Sequence, residues 1–172
     1  MRKLRIAGLL TIALTVALDQ ISKAAILDLF ADPATSRRHV EIVQGLFDLV
    51  LWWNPGVSFG LLNRLSPAAA PYLLTALAAL VCLWLAIMLW RSDAWPKAAA
   101  TGLVIGGAIG NVIDRLRFGA VVDFLYIHQG DWYWPAFNLA DSAICMGVVL
   151  LLAESLWTGH KKPSPDGENP PK

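Results

Sequence analysis

"AAAPYLLTALAALVCLWLAIMLW", residues 68 to 90, contains no charged residue. As an α-helix rising about 1.5 Å per residue it reaches roughly 35 Å, enough to cross a hydrocarbon core of about 30 Å. The stretch therefore predicts a transmembrane helix. The whole 172-residue chain agrees with this, since 56% of its residues are hydrophobic, only 16% are charged and its mean hydropathy is +0.53. Soluble domains carry about 25% charged residues.

Three further apolar segments predict three more spans, so that the expected helices cover residues 6–28, 68–90, 98–116 and 139–157. The first segment has the basic start of a cleavable secretory signal, but no small-x-small cleavage site follows its apolar core, which favours an uncleaved span. We expect one integral membrane domain over residues 1–158. Residues 159–172 are Pro-rich and polar, which predicts a disordered tail.

Basic residues predict the orientation of these spans. Those expected on one side are Arg2, Lys3, Arg5, Arg91, Lys97, His160, Lys161 and Lys162. Because basic loops remain cytoplasmic, both termini are expected in the cytoplasm. The bias is imperfect, since Arg37, Arg38, Arg64 and Arg117 then lie outside.

The two long connections, residues 31–67 and 117–137, are then extracytoplasmic, and their sequences are typical of strands. The segments are "LFDLVLWWN" and "GVSFGLL" around a turn-forming "NPG", then "AVVDFLYIH" and "WYWPAF". Aromatic residues in them, such as Trp52 and Trp134, have the composition of an interfacial belt. We expect a small sheet on the outer membrane surface; irregular loops with anchoring aromatics are the alternative.

Several classes of function are disfavoured by composition. A formal net charge of +1 gives no basic face for nucleic acid. Cys82 and Cys145 lie in apolar runs, which is typical of packed or lipid-facing residues. His39, His128 and His160 are scattered along the chain, so neither a metal nor another cofactor is expected.

"GNVIDRLRFGAVVDF", residues 110–124, concentrates polar residues between two hydrophobic runs. Ionisable groups at membrane depth are costly and therefore point to function. Asp19 and Lys23 lie four residues apart in the first span with the acid first, the favourable order for a helical ion pair, and a structural pair is the preferred interpretation.

Glycines recur every four residues in the third span, at Gly102, Gly106 and Gly110. Such a face allows close approach of another helix or of a ligand. The neighbouring stripe carries Gly107, then Asn111 and Arg115. Packing alone does not require an Asn and an Arg, so we expect this surface to meet a ligand.

Asp123 and Asp141 are the candidate catalytic pair. Asn138 can cap the fourth span, which makes Asp141 its N3 residue and gives that acid a structural explanation. Asp123 has no local partner among its apolar neighbours. The connection between them is short enough to bring both acids together at the outer boundary. Two carboxylates in a low-dielectric site share a proton and can activate water against a peptide bond.

These residues resemble those of a known family, bacterial lipoprotein signal peptidase (signal peptidase II), an aspartic endopeptidase of the inner membrane. The shared motifs run from Asp19 to about Glu154: "DQISK", "NPGVSFG", "GGAIGNVIDRLRFGAVVDF" and "FNLADS". The resemblance implies a membrane α-helical fold of four transmembrane helices with a small extracytoplasmic β-sheet (a β-cradle) and a short periplasmic helix.

The resemblance also implies the site and the substrate. Asp123 and Asp141 are expected to be catalytic. Residues expected to support the site or bind substrate are Asp19, Lys23, Asn54, Gly56, Gly107, Asn111, Arg115, Asn138 and Ala140. The substrate would be a prolipoprotein carrying diacylglyceryl on its lipobox cysteine, cleaved just before that cysteine. Globomycin-type peptides would occupy the same site. Membrane lipid is the other expected partner, and a monomer is expected. Val57 and Ser58 replace two alanines that are usual in the family motif. This departure affects the expected substrate contacts and leaves the two acids unchanged.

Two alternatives belong to other classes. An ion-coupled transporter subunit would use the same carboxylates as a relay, but they cluster near one surface and no inverted repeat is visible. A non-catalytic scaffold or lipid-binding module would be unaffected by Asp→Asn changes.

Overall fold

The computed structural model describes residues 1–31, 39–56 and 70–159. The elements are α1 (Arg2–Leu29), β1 (His39–Val43), β2 (Phe47–Asn54), α2 (Ala70–Trp90), α3 (Trp95–Phe118), β3 (Val121–Gln129), β4 (Trp132–Phe137) and α4 (Leu139–Gly159). In the described part of the chain these four helices are long and apolar enough to cross a membrane, which confirms the predicted spans. No short additional helix is present within these three ranges. Most of the segment "GVSFGLL" and the tail beyond Gly159 lie outside them.

The third helix is the centre of the bundle. α3 packs against α1, α2 and α4 and is the most buried of the four helices. It begins with Pro96 in its first turn, where a missing N–H costs nothing. It ends at Gly119, whose left-handed backbone (φ 74°) lets its N–H donate to the Arg115 carbonyl at 3.0 Å.

Glycines allow this central helix to approach its neighbours closely. A Cβ at Gly106 would lie 2.7 Å from Thr15 Cβ in α1, and one at Gly102 would lie 2.8 Å from the Gly8 carbonyl oxygen. Gly110 faces the Asp19 carboxylate, and Gly107 faces the Ala140 backbone of α4. The face of Gly102, Gly106 and Gly110 is therefore packed against α1, which is the helix-packing alternative.

The four strands form one antiparallel sheet in the order β1-β2-β3-β4. It lies at a single end of the bundle, because β1 and β2 follow α1 while β3 and β4 follow α3. Ile26 of α1 packs against Val122 and Phe124 of β3 and joins sheet to helices. The predicted strands around 46–54, 120–128 and 132–137 are confirmed.

The sequence reading missed the edge strand β1. Its five residues are mostly exposed, so the burial alternation that marks a strand is weak. Asp48 of β2 fastens it: its Oδ2 lies 2.7 Å from His39 Nε2 in β1 and 2.8 Å from His128 Nε2 in β3. Two histidines that looked scattered thus meet across three strands.

The contact between α3 and α4 gives a stability prediction. In Gly107→Ala the new Cβ would meet the Ala140 backbone, with its carbonyl carbon at 3.2 Å and Ile144 Cγ1 at 2.8 Å. Overpacking against backbone costs about 1–3 kcal/mol. In Gly8→Ala the nearest atom is a Leu89 methyl, which can rotate away.

We therefore expect Gly107→Ala to lower the unfolding temperature in detergent clearly more than Gly8→Ala, although both substitutions gain about 1 kcal/mol of helix propensity. Thermal unfolding followed by circular dichroism measures the difference. Equal effects of the two changes would contradict the packing described.

Candidate active site

A buried ammonium group holds the polar cluster together where the helices meet the sheet. Lys23 Nζ of α1 lies 2.9 Å from Asp19 Oδ2 and 2.8 Å from Asp114 Oδ2, and donates to Asn111 Oδ1 at 3.1 Å. The three charged side chains are at most 3% exposed. The predicted Asp19–Lys23 ion pair is confirmed, and α3 supplies a second acid to it.

The two acids of this cluster also fasten neighbouring backbone. Asp19 Oδ1 accepts a hydrogen bond from the Ala140 N–H at the start of α4, at 3.0 Å. Asp114 Oδ2 accepts one from the Val122 N–H in β3, at 3.1 Å. One charged cluster thereby positions both chain segments that carry Asp123 and Asp141.

Asp123 lies in β3 and is only 1% exposed. Its Oδ1 accepts from Asn138 Nδ2 at 2.7 Å, and its Oδ2 accepts from Asn54 Nδ2 at 2.9 Å. Among the described residues, no Lys, Arg or His nitrogen lies within 4 Å of this carboxylate. Asp123 is therefore held by two asparagine amides and by no cation within this distance.

Asp141 lies in the first turn of α4 and is held in the same way. Its Oδ1 accepts from Asn111 Nδ2 at 2.8 Å, and its Oδ2 accepts from the Asn138 N–H at 3.2 Å. The Asp141 N–H donates to Asn138 Oδ1 at 2.9 Å. These reciprocal bonds form the predicted capping box, and the helix N-terminus favours the negative charge.

Asn138 connects the two acids. Its amide donates to Asp123 and to Asn111, while its carbonyl oxygen and backbone bond Asp141. No hydrogen bond joins the two carboxylates directly in the part of the chain described. They still interact electrostatically. Burial raises the pKa of Asp123 to about 6, opposed by the Asn54 hydrogen bond and assisted by the nearby Asp141 charge.

Arg115 borders this pair. Its Nη1 donates to the Asn111 carbonyl at 3.4 Å, its Nε is buried without a hydrogen-bond partner among the described groups, and its charge interacts with the Asp141 and Asp123 carboxylates. Gly56 lies next to it, since a Cβ there would be 3.9 Å from Arg115 Nη2.

Gly56 has a left-handed backbone (φ 84°), and its N–H donates to Asn54 Oδ1 at 2.8 Å. The structure thus brings Asn54, Gly56, Asn111, Arg115 and Asn138 around the two acids. Gly107 and Ala140 form the adjoining helix contact. Val57 and Ser58 lie outside the described residues.

Sequence reasoning gave no role to two members of this network. Asp114 is the second partner of Lys23, and Gln20 Nε2 donates to Asp19 Oδ2 at 3.1 Å and to Asp114 Oδ1 at 3.0 Å. The spacing of Asp114 one helical turn after Asn111 placed both on one face of α3. This spacing is the sequence signal that could have placed Asp114 in the network.

Fold and site together define a class: a polytopic membrane protein with a pair of carboxylates held by asparagine amides at one end of its helices. Residues 11–157 match the family model described as "Signal peptidase (SPase) II". The chain belongs to the signal peptidase II family and is a peptidase by that membership.

Individual relatives agree with this assignment. The chain is 45% identical over 161 residues to a lipoprotein signal peptidase of Azoarcus sp. (strain BH72), covering 92% of this chain and 87% of that one. It is 40% identical to the lipoprotein signal peptidase of Anaplasma phagocytophilum (strain HZ), covering 91% and 95%. A bacterial membrane enzyme solved by the in meso method at 2.3 Å resolution superposes with a TM-score of 0.72 at 27% identity, covering 91% and 92%.

The buried ammonium gives the second prediction. Lys23→Met would leave two buried carboxylates without their cation, and breaking a buried pair in this way costs about 3–5 kcal/mol. We expect a large loss of stability, measured as a fall in the unfolding temperature in detergent.

The chain supplies a matched control, because Asp93 and Lys97 form another pair at the same spacing. Their Nζ–Oδ1 distance is 3.5 Å, and the Asp93 side chain is 79% exposed. Exposed pairs contribute about 0–1 kcal/mol, so Lys97→Met should change stability little. A loss after Lys23→Met no greater than that after Lys97→Met would contradict the central role of Lys23.

Proposed function

We propose that this chain is an aspartic endopeptidase in which Asp123 and Asp141 act together on a water molecule. The observation that carries the proposal is how four acids at this end of the bundle are held. Asp19 and Asp114 share one cation, Lys23, whereas Asp123 and Asp141 are held by amides with no cation within 4 Å among the described residues.

This difference matters because acids beside a cation and acids held by amides differ in how they transfer protons. An ammonium in contact with a carboxylate favours the ionised form of that carboxylate. Two carboxylates that repel each other in a buried site share one proton, so that one acts as base and the other as acid. One carboxylate takes a proton from water as the water attacks the peptide carbonyl. The other protonates the leaving nitrogen.

The supporting residues have distinct parts in this mechanism. Asn138 and Asn111 orient Asp141, and Asn138 and Asn54 orient Asp123. Arg115 is placed to stabilise a developing oxyanion or to orient a substrate carbonyl. Lys23 and Asp19 do not touch the reacting atoms in this mechanism. They position the site by holding α1 against α3 and α4.

The proposed substrate is a prolipoprotein, following the relatives named lipoprotein signal peptidase. Cleavage just before a diacylglyceryl-modified cysteine would release the signal peptide. A site at the junction of helices and sheet suits a scissile bond near the membrane surface, with the signal helix and acyl chains in the bilayer. Globomycin-type peptides would compete for this site.

The proposed location is the bacterial inner membrane, with both termini cytoplasmic and the site near the periplasmic face. Arg2, Lys3, Arg5, Arg91 and Lys97 all lie at the bundle end opposite the sheet, which fits the positive-inside rule. The exposed aromatics of the sheet, Trp52, Trp132, Tyr133 and Trp134, suit the outer interface.

Substitution of either acid tests the proposal. Asp123→Asn or Asp141→Asn should reduce cleavage of a lipidated prolipoprotein peptide by at least about 100-fold, since each removes the shared proton transfer. Asp131→Asn is the matched control, because Asp131 lies in the turn of the same β3–β4 hairpin but outside the network.

Purified variants are compared by peptide cleavage, with thermal unfolding to show that each is folded. Substantial cleavage by a folded Asp123→Asn or Asp141→Asn variant would refute the assignment. So would a matching loss in Asp131→Asn.

The pH dependence gives another test. Because burial and the neighbouring Asp141 charge outweigh the opposing hydrogen bonds, the pKa of Asp123 is raised to about 6. The pair therefore holds its proton below that pH and loses it above. We expect kcat/KM to fall as pH rises above about 6, approaching tenfold per pH unit.

The profile is measured from about pH 5 to about pH 8, with the folded fraction checked at each pH. Asp131→Asn should give the wild-type profile. A kcat/KM that does not change over this range would exclude a shared proton with this pKa.

A further inference from the structure

The end of strand β2 carries Asn54, one of the two amides that donate to Asp123. Asn54 Nδ2 lies 2.9 Å from Asp123 Oδ2, and Asn54 Oδ1 accepts the Gly56 N–H at 2.8 Å. The register of β2 against β3 shifts between Leu49 and Trp52, so the end of the strand pairs separately from its beginning. Because Asn54 is the last residue of β2, this short end needs a contact of its own to hold the amide in place.

An aromatic pair supplies that contact. The ring of Trp53, which directly precedes Asn54, packs against the ring of Phe118, with the two centroids 5.4 Å apart and the ring planes at 68°. Such an edge-to-face arrangement is favoured between aromatic rings. Phe118 is the last residue of α3, and the Arg117 guanidinium lies over its ring, 4.8 Å from the centroid. The end of the central helix is therefore joined to β2 one residue before the amide.

The same helix holds the opposite strand. Trp53 pairs in register with Val122 of β3, and the Val122 N–H donates to Asp114 of α3. α3 thus fastens β3 through Asp114 and β2 through Phe118, on the two sides of one register position. The distance between the Asn54 amide and the carboxylate on β3 depends on both contacts.

We propose that Phe118 and Trp53 are positioning residues that hold the Asn54 amide within hydrogen-bonding distance of Asp123. They act through that amide and take no part in proton transfer. The inference rests on the proposed function, in which Asp123 transfers a proton during cleavage. Because Trp53 and Phe118 are 39% and 40% exposed, replacing either ring removes the contact without opening the buried core.

Loss of the amide contact changes the titration of Asp123 in a defined direction. Burial raises the pKa of Asp123, and the Asn54 hydrogen bond is the largest influence that opposes it, so the pKa rises further when this bond is lost. Entry of water would lower the pKa instead, because it weakens the effect of burial. Substitution of Phe118 changes none of the charged groups that face Asp123 from the helices, which are Lys23, Arg115 and Asp141.

The pH dependence of kcat/KM tests the proposal, with the lipidated prolipoprotein peptide as substrate. We expect the decline of kcat/KM at high pH to move upward by about half a pH unit in Phe118→Ala and by about one unit in Asn54→Ala. Adding Phe118→Ala to Asn54→Ala should give no further shift, because the effect of the ring passes through the amide. Phe118→Tyr keeps the ring and should restore the wild-type profile.

Tyr133→Ala is the matched control, because it removes one ring of another aromatic pair in the sheet, that of Tyr126 and Tyr133, whose centroids lie 6.2 Å apart. Its profile should equal that of the wild type. An unchanged profile in folded Phe118→Ala, a shift to lower pH, additive shifts in the double variant, or an equal shift in Tyr133→Ala would each overturn the proposal. Thermal unfolding in detergent gives the folded fraction, and Phe118→Leu, measured in parallel, should shift the profile in the same direction while retaining apolar bulk.

Infrared spectroscopy follows the Asp123 carboxyl without any cleavage, with Asp123→Asn identifying its absorption band. A wild-type kcat/KM that does not change with pH would refute the proposed function alone, because the infrared titration still shows whether Phe118→Ala raises the pKa of Asp123. An Asp123 band that titrates identically in wild type and Phe118→Ala would refute the positioning role alone.

Discussion

The arrangement of this molecule depends on one buried ammonium group placed between two carboxylates from different helices. Lys23 would be very costly to bury alone, and so would Asp19 and Asp114. The ammonium lies 2.9 Å from Asp19 and 2.8 Å from Asp114, and Gln20 donates a hydrogen bond to each of the two carboxylates. Since Asp19 and Asp114 also accept backbone N–H groups at Ala140 and Val122, the same cluster sets the start of α4 and the path of β3. The geometry of the candidate site therefore follows from an electrostatic requirement of the fold.

The close packing of α3 is a condition for that cluster. Charges interact strongly only where water is excluded, and water is excluded here because glycines bring the helix backbones together. Gly110 faces Asp19 directly, and Gly107 faces the start of α4. The glycine pattern in the sequence allowed close approach of either a helix or a ligand. Its use is to bring the backbones into contact, so that the polar side chains at the end of the same helix reach three other elements.

Much of this architecture follows from local sequence pattern. The four spans are long, apolar runs, and the capping box of Asn138 and Asp141 is recognisable because both partners lie within three residues. The ion pair of Asp19 and Lys23 is recognisable for the same reason. What the sequence does not reveal is long-range. Asp114 as the second partner of Lys23 depends on the packing of α3 against α1, and Asn138 as the bridge to Asp123 depends on the pairing of β3 with β4. The weakly patterned strand β1 is held through Asp48 and His39, a contact between strands that no periodicity encodes.

The same distinction separates structure from chemistry among the buried acids. Lys23 lies between Asp19 and Asp114 and thereby joins α1 to α3. Burial raises the pKa of Asp123 to about 6, against the hydrogen bonds that Asn54 and Asn138 donate to it. Groups of this kind are concentrated at functional sites, which is why Asp123 belongs to the proposed pair. The sequence already indicates Asp19 as part of an ion pair and Asp123 with Asp141 as the candidate pair, but the place of Asp114 beside Lys23 becomes visible only in the fold. The position of Lys23 thus separates the two acids of the ion cluster from the two acids of the proposed pair.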